Sequence, residues 1–318
     1  MAVIVGATAM VLPTTFAKSI SKNTISSLSS IYNTHFLHHL PPQIHGYNSY
    51  GKYRNWVRNC SGICSIEGEN NGTSVIRSPN LVALEYADLN LPHNCEEVGH
   101  VRIRQHVNPL TSAYSIPAEP PDWNAVYKDS TLPLMVDVGC GSGRFLLWLA
   151  KRNISHQNYL GLEIRGKLVK RANIWAMELG ISNAHFIFAN ATVSFQQLVS
   201  SYPGPLMLVS VLCPDPHFKK KHHKRRVLQK PLVDAIVNNL SSGGQVFMQS
   251  DVLEVAVDMR NQFDSVSDLS HIDAINPSFI CDHDGWLLSN PMGIRTEREI
   301  HAELEDAKIY RRMYQKNG

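Results

Sequence analysis

Asp215 stands between Pro214 and Pro216, and close behind it come Phe218 and the cations Lys219, Lys220, Lys221, Lys224, Arg225 and Arg226. The two prolines stiffen the chain around the carboxylate. Phe218 offers a ring on which a base can stack, and the cations offer a path for phosphates. A fixed carboxylate, an aromatic and a cationic cluster in one short segment are what a nucleobase on a phosphate backbone requires. A run of cations can also be a solvated helix start or a localisation signal. Here it follows directly on the apolar run 205–212, and the carboxyl ends of parallel strands are where α/β folds place ligands.

A second constellation lies upstream. Asp137 ends an apolar run that begins at Leu134, and Gly139, Gly141 and Gly143 follow before the apolar-periodic stretch from Arg144. Glycines at 139 and 141 let the backbone turn sharply and leave room for a ligand. The spacing is G-x-G-x-G, whereas the dinucleotide fingerprint is G-x-G-x-x-G, whose helix amides meet a pyrophosphate. A nicotinamide oxidoreductase therefore fits poorly, and a ligand without phosphate fits better. S-adenosylmethionine, an adenosine bearing an amino acid and a sulfonium, is the candidate. Glu163 closes the next strand pattern, about twenty residues past the glycines, where such folds place the acid that holds a ribose diol. Asn190 closes a third, and its amide suits an adenine edge, which both donates and accepts.

These groups need strand ends to hold them. Leu134–Val138, Asn158–Glu163, 184–189, 205–212 and 245–250 read as strands, alternating with helical patterns at 144–151, 165–179, 193–201, 224–240 and 253–263. Alternation of this kind implies an α/β fold with a mostly parallel sheet and helices on both faces. Residues 1–65 read as a leader, 66–133 as an N-terminal extension and 134–318 as the catalytic domain. Within the extension Val101, Arg102, Ile103, Arg104, Gln105 and His106 alternate apolar and polar. That pattern suits an edge strand with a solvated face or a phosphate-contacting arm, and the sequence does not choose between them.

The leader has no Asp or Glu before Glu67 and is rich in serine. Acid-poor, hydroxyl-rich composition is typical of organellar transit peptides. Many serines and few arginines lean towards the chloroplast, with the mitochondrion as the alternative. No apolar run reaches the length needed to cross a bilayer. The net charge of +3 is small, so attraction for an acidic partner must come from the local cluster after Asp215. The six cysteines lack the spacing of a metal site, and no metal is expected. Cys140 and Cys213 fall beside the expected pocket as free thiols.

On Pro214 to Lys219 with the trailing His222 to Arg226, the chain resembles the tRNA (guanine-N7)-methyltransferases, a family of class I S-adenosylmethionine-dependent enzymes. Arg104, His106, Asn108, Pro109 and Leu110 are similar to the entry segment of the family's eukaryotic branch. Gly161 to Arg165 is similar to its second strand and acid, and Thr296 to Glu299 to its Thr-x-x-Glu. The resemblance implies a Rossmann-like methyltransferase sheet and transfer of a methyl group to N7 of guanosine 46 in the tRNA variable loop. It implies that Asp137, Gly139, Gly141, Glu163, Arg165, Asn190, Ala191 and Leu212 line the cofactor pocket. Asp215 becomes the catalytic carboxylate, and Lys219, Asp251, Thr296, Glu297 and Glu299 hold the guanosine. The partner is tRNA, with a WD-repeat accessory subunit if the chain follows the eukaryotic branch and a monomer otherwise. Between Thr296 and Glu299 the chain carries Glu297 and Arg298 where bacterial members have a lysine and an aromatic. The rival readings are a methyltransferase acting on another nucleic-acid base and a non-catalytic RNA-binding relative. An amino-directed enzyme would carry Asn/Asp-Pro-Pro-Tyr at this strand end, where this chain has His217 after the second proline.

Overall fold

The structure, a computed structural model, describes residues 78–91 and 107–318. The leader, Arg104 and His106 lie outside the described residues.

Seven strands form one sheet: β1 (Leu134–Val138), β2 (Asn158–Glu163), β3 (Ala184–Phe188), β4 (Leu206–Leu212), β5 (Leu240–Ser250), β6 (Leu269–His271) and β7 (Tyr310–Lys316). Their order is β3-β2-β1-β4-β5-β7-β6. The first five run parallel, while β7 is antiparallel to β5 and β6. The helices are α1 (Ser78–Glu85), α2 (Trp123–Val126), α3 (Arg144–Arg152), α4 (Gly166–Glu178), α5 (Ala191–Ser200), α6 (Lys230–Asn239), α7 (Leu253–Asp264), α8 (Ile272–Ile275) and α9 (Glu297–Leu304).

Every residue of β1 is buried. Successive side chains on a strand point to opposite faces, so both faces of the sheet are covered, as the apolar strand patterns predict. After β3 the chain returns to lay β4 on the other side of β1. That reversal opens a crevice at the carboxyl ends of β1 and β4. Both ligand constellations read from the sequence belong to loops at this end.

Two expectations change. The helix expected from Lys224 to Leu240 begins only at Lys230, after a 3₁₀ turn over Lys220–Arg225. Pro231 sits in the first turn of α6, where its missing N–H costs nothing, whereas a helix running through it would lose a bond and clash. The part of the expected extension nearest β1 packs on the sheet. Trp123, Tyr127 and Tyr202 form a buried aromatic group with centroids 5.4 to 6.0 Å apart. The Tyr127 hydroxyl donates to the Tyr159 carbonyl at 3.0 Å. Further upstream, Glu85 at the end of α1 accepts from Arg295 Nε at 3.2 Å, which ties α1 to the residues leading into α9.

Candidate active site

The turn after β1 uses its glycines for two purposes. Gly139, Gly141 and Gly143 have φ of 83°, 56° and 81°, in the left-handed region that side chains avoid. A Cβ on Gly139 or Gly141 would meet nothing within 4 Å, so these two face open space. A Cβ on Gly143 would lie 2.8 Å from Ala172 Cβ and from the Phe186 ring. Gly143 thus lets α3 start hard against α4 and β3, while Gly139 and Gly141 form a cradle.

Two buried acids flank that cradle. Asp137 accepts from Ser210 Oγ across the β1–β4 pair at 2.6 Å, and burial pushes its carboxyl up to about 7. Glu163 accepts from Gly141 N at 2.9 Å, from Arg165 N at 3.0 Å, and from the Arg165 guanidinium at 2.8 and 3.0 Å. A carboxylate offers about four acceptor sites, so these donors fill it. For Glu163 to accept from a ribose diol, some of the Arg165 bonds would have to give way. The hydrogen bonds it donates to Glu163 hold the Arg165 guanidinium protonated more firmly than usual, and the charge of Asp215 adds to this.

Asn190 is placed differently from the expectation. Its Oδ1 accepts from Thr192 N at 3.2 Å and caps α5, while its Nδ2 donates to the Pro109 and Tyr114 carbonyls at 3.2 and 3.1 Å. The amide expected to read an adenine edge is spent on fastening the 109–114 segment to the end of β3. Ala191 is the buried first residue of α5, and Leu212 is half-buried at the end of β4.

Asp215 is exposed on the loop beyond β4, and its charge adds to those that keep the Arg165 guanidinium protonated. The loop turns through two non-glycine residues at positive φ, Cys213 at 47° and His217 at 46°. Such conformations persist only where the surroundings enforce them. Cys213 N donates to the Gln249 carbonyl at 2.7 Å at one end of the loop. At the other end, buried Arg226 donates to the Pro216 carbonyl at 3.0 Å, to Glu254 at 2.6 Å and to Asp258 at 3.1 Å. Arg226 therefore belongs to the frame of the loop and not to the cationic rim in which the sequence placed it. Lys219, Lys220, Lys221 and Lys224 are exposed and Arg225 is half-buried. Burial pushes the Cys213 thiol up to about 12 and raises Cys140 well above its usual value, so neither is a thiolate at neutral pH.

The remaining expected site residues meet at the start of α9. Thr296 Oγ1 accepts from Glu299 N at 3.2 Å and Glu299 Oε2 accepts from Thr296 N at 3.2 Å, a capping box. Glu299 is fully buried and also accepts from Gln249 at 3.1 Å, from Asn290 at 3.1 Å and from Arg311. Its oxygens face the interior, so Thr296 and Glu299 shape the wall of the mouth from within. Asp251 pairs with Arg298 Nε at 3.0 Å. Glu297 turns towards the cofactor cradle, accepting from Arg144 at 2.7 Å and from Ser142. Arg144, Gln249, Arg298 and Arg311 were not read from the sequence as site residues. Arg144 and Gln249 sit beside motifs that were read, but Arg311 gives no local signal. Among the described residues no group of His, Cys, Asp and Glu is arranged to hold a metal ion, and no helix is long and apolar enough to cross a membrane.

A sheet with one antiparallel strand between β5 and β6, an open glycine cradle after β1 and an acid at the end of β2 define the S-adenosylmethionine-dependent methyltransferase class. A family model described as "Putative methyltransferase" matches residues 131–312. The tRNA (guanine-N(7)-)-methyltransferase of Synechococcus sp. (strain JA-2-3B'a(2-13)) is 49% identical over 214 residues, 67% of this chain and 84% of its own. That of Synechocystis sp. (strain ATCC 27184 / PCC 6803 / Kazusa) is 44% identical over 220 residues, 69% of this chain and 99% of its own. A solved rRNA methylase from Streptococcus thermophilus superposes with a TM-score of 0.37 at 13% identity, over 62% of this chain and 92% of its own. The chain belongs to the tRNA (guanine-N(7)-)-methyltransferase family.

Proposed function

We propose that this protein methylates N7 of guanine in tRNA, at guanosine 46 of the variable loop. The observation that supports the reading is the loop of Asp215, which leaves β4 through two left-handed residues, Cys213 and His217, and leads straight into exposed Lys219, Lys220 and Lys221. The residues fit S-adenosylmethionine: Gly139 and Gly141 leave a space that any side chain would fill, and Asp137 and Glu163 border it. Bound there, the cofactor supplies an electrophilic methyl group on a sulfonium.

Guanine N7 carries a lone pair and no proton, so the protein needs no base to expose the nucleophile. It must supply position and charge. Asp215 can accept from guanine N1–H and the exocyclic amine, which orients the ring. As the ring gains positive charge, the same carboxylate stabilises it more than it stabilised the neutral base, which is differential binding of the transition state. Asp251, held by Arg298, is a second acid at this mouth. Lys219 and its exposed neighbours hold phosphates while the guanosine is drawn out of its tertiary contacts.

The test is incubation of purified protein with unmodified tRNA and labelled cofactor, then borohydride and aniline cleavage at N7-methylguanosine. A single cut in the variable loop is expected. Asp215→Ala should lower the rate by about 10² to 10³-fold, the size seen when one charge-stabilising group is removed, with cofactor affinity within about twofold. A wild-type rate in that variant, or methyl groups on another atom, overturns the reading.

We also infer a plastid address for residues 1–65 and activity without a WD-repeat subunit. The acid-poor, serine-rich composition of the leader and the cyanobacterial origin of the similar enzymes support the first. Fusion of residues 1–65 to a fluorescent protein tests it, with mitochondrial fluorescence as the contrary result. Turnover by the purified chain alone tests the second.

A further inference from the structure

Phe218 is 68% exposed, although it sits three residues from Asp215 in a loop whose conformation is otherwise fixed. Two prolines and two left-handed residues, Cys213 and His217, shape that loop. Arg226 pins its base through the Pro216 carbonyl, Glu254 and Asp258. The ring stands in water on this loop, a few residues past the end of β4. A large apolar ring held in solvent by an enforced turn reads as a contact surface.

The surroundings say what it contacts. Lys219, Lys220, Lys221 and Lys224 are exposed next to it. His222, in their midst, is held below its usual pKa, first by desolvation and then by the charges of Arg225, Lys221, Lys219 and Lys224. An aromatic face bordered by cations suits an unstacked base attached to phosphates. A membrane surface or an acidic peptide would be served by the cations and would not need a ring fixed beside the catalytic carboxylate.

We propose that Phe218 is the stacking platform for the nucleobase adjoining the guanosine presented to Asp215, taking the face that base exposes when its neighbour is drawn out. This rests on the tRNA reading above and adds to it a residue that grips the flanking nucleotide.

Stacking requires a flat ring, and that makes the proposal testable against a merely apolar role. With unmodified tRNA, Phe218→Ala should lose roughly tenfold or more in kcat/KM, the size expected for one base–aromatic stack. Phe218→Trp should stay within about threefold of wild type by the same measure, and Phe218→Leu should fall with the alanine variant. Because stacking releases no counterions, Phe218→Ala should keep the wild-type salt dependence of tRNA binding, whereas Lys219→Ala should lower it. With tRNAs made abasic on either side of the target, the alanine variant should lose nothing further on one of the two. Unchanged cofactor binding and thermal melting would confirm that the variants are folded. Activity of Phe218→Leu equal to wild type, or a fall in salt dependence matching that of Lys219→Ala, overturns the proposal. If the wild-type protein leaves guanine N7 unmethylated, the tRNA reading fails instead.

Discussion

Asp137 and Glu163 answer the same problem, a carboxylate inside a protein, in opposite ways. Glu163 is surrounded by four donors from Gly141 and Arg165. Asp137 has Ser210 and a desolvated surrounding that raises its carboxyl to about 7. Between roughly pH 4 and 7 the folded protein therefore keeps a proton there that the unfolded chain has released. Stability falls as pH rises through that window, and the loss is complete above it. At 1.36 kcal/mol per unit, the loss is at most about 4 kcal/mol. Asp137→Asn removes it. Without cofactor, the asparagine variant should melt above wild type at pH 8, and the gap should shrink towards pH 4. A gap independent of pH would mean that Asp137 is ionised throughout. Asp137 was legible as a site residue because it stands one residue from the end of an apolar strand that runs into glycines. Its raised carboxyl was not legible, because that comes from burial between strands, which the folded sheet alone creates, and Ser210 on β4 only partly offsets it.

The turn between β1 and α3 separates packing from ligand space within five residues. Gly143→Ala adds a methyl group where Ala172 and Phe186 already stand, and at positive φ. Strain and overpacking together should cost about 2–4 kcal/mol in urea unfolding. Gly139→Ala meets only the backbone penalty, about 1–2 kcal/mol, but fills the cradle, so cofactor affinity should suffer more than stability. Equal losses of stability in the two variants would refute that division. The strands β1 to β4 and the second half of β5 were legible because each is an apolar run closed by turn residues, whereas β5 starts five residues earlier than expected, at Leu240, through Ser241, Ser242, Gly243 and Gly244. β7 was not, since Arg311 and Arg312 interrupt it. Both are buried, answered by Glu299, Gln249 and Asp273, partners that no local pattern reveals. The Thr296–Glu299 spacing was visible and was read for ligand contact, while the structure uses it first to start α9.

At the scale of the molecule, one domain carries cradle, carboxylate and rim together. The Synechocystis enzyme is matched over 99% of its length by 220 aligned residues, 69% of this chain. A protein starting at Ile66 should retain the tRNA methylation rate of the full chain within about twofold. A large loss would give residues 1–65 a part in turnover. The net charge of +3 hides a local cluster, the exposed lysines between Lys219 and Lys224, that the sum does not express. The buried ion pairing of Arg226 could not be foreseen from a run of like charges.

The placing of β7 between β5 and β6 bears on how the protein is born. A ribosome delivers β1 to β5 first, and these can assemble in the order they emerge. β5 then waits with one edge bare, and β6 has no neighbour at all, until the segment from Tyr310 arrives and zips in between them. Closure of the domain therefore waits until Tyr310–Lys316 is free to pair. A chain cut between Glu305 and Tyr310 would keep β5 with an open, adhesive edge and Glu299 stripped of its arginine.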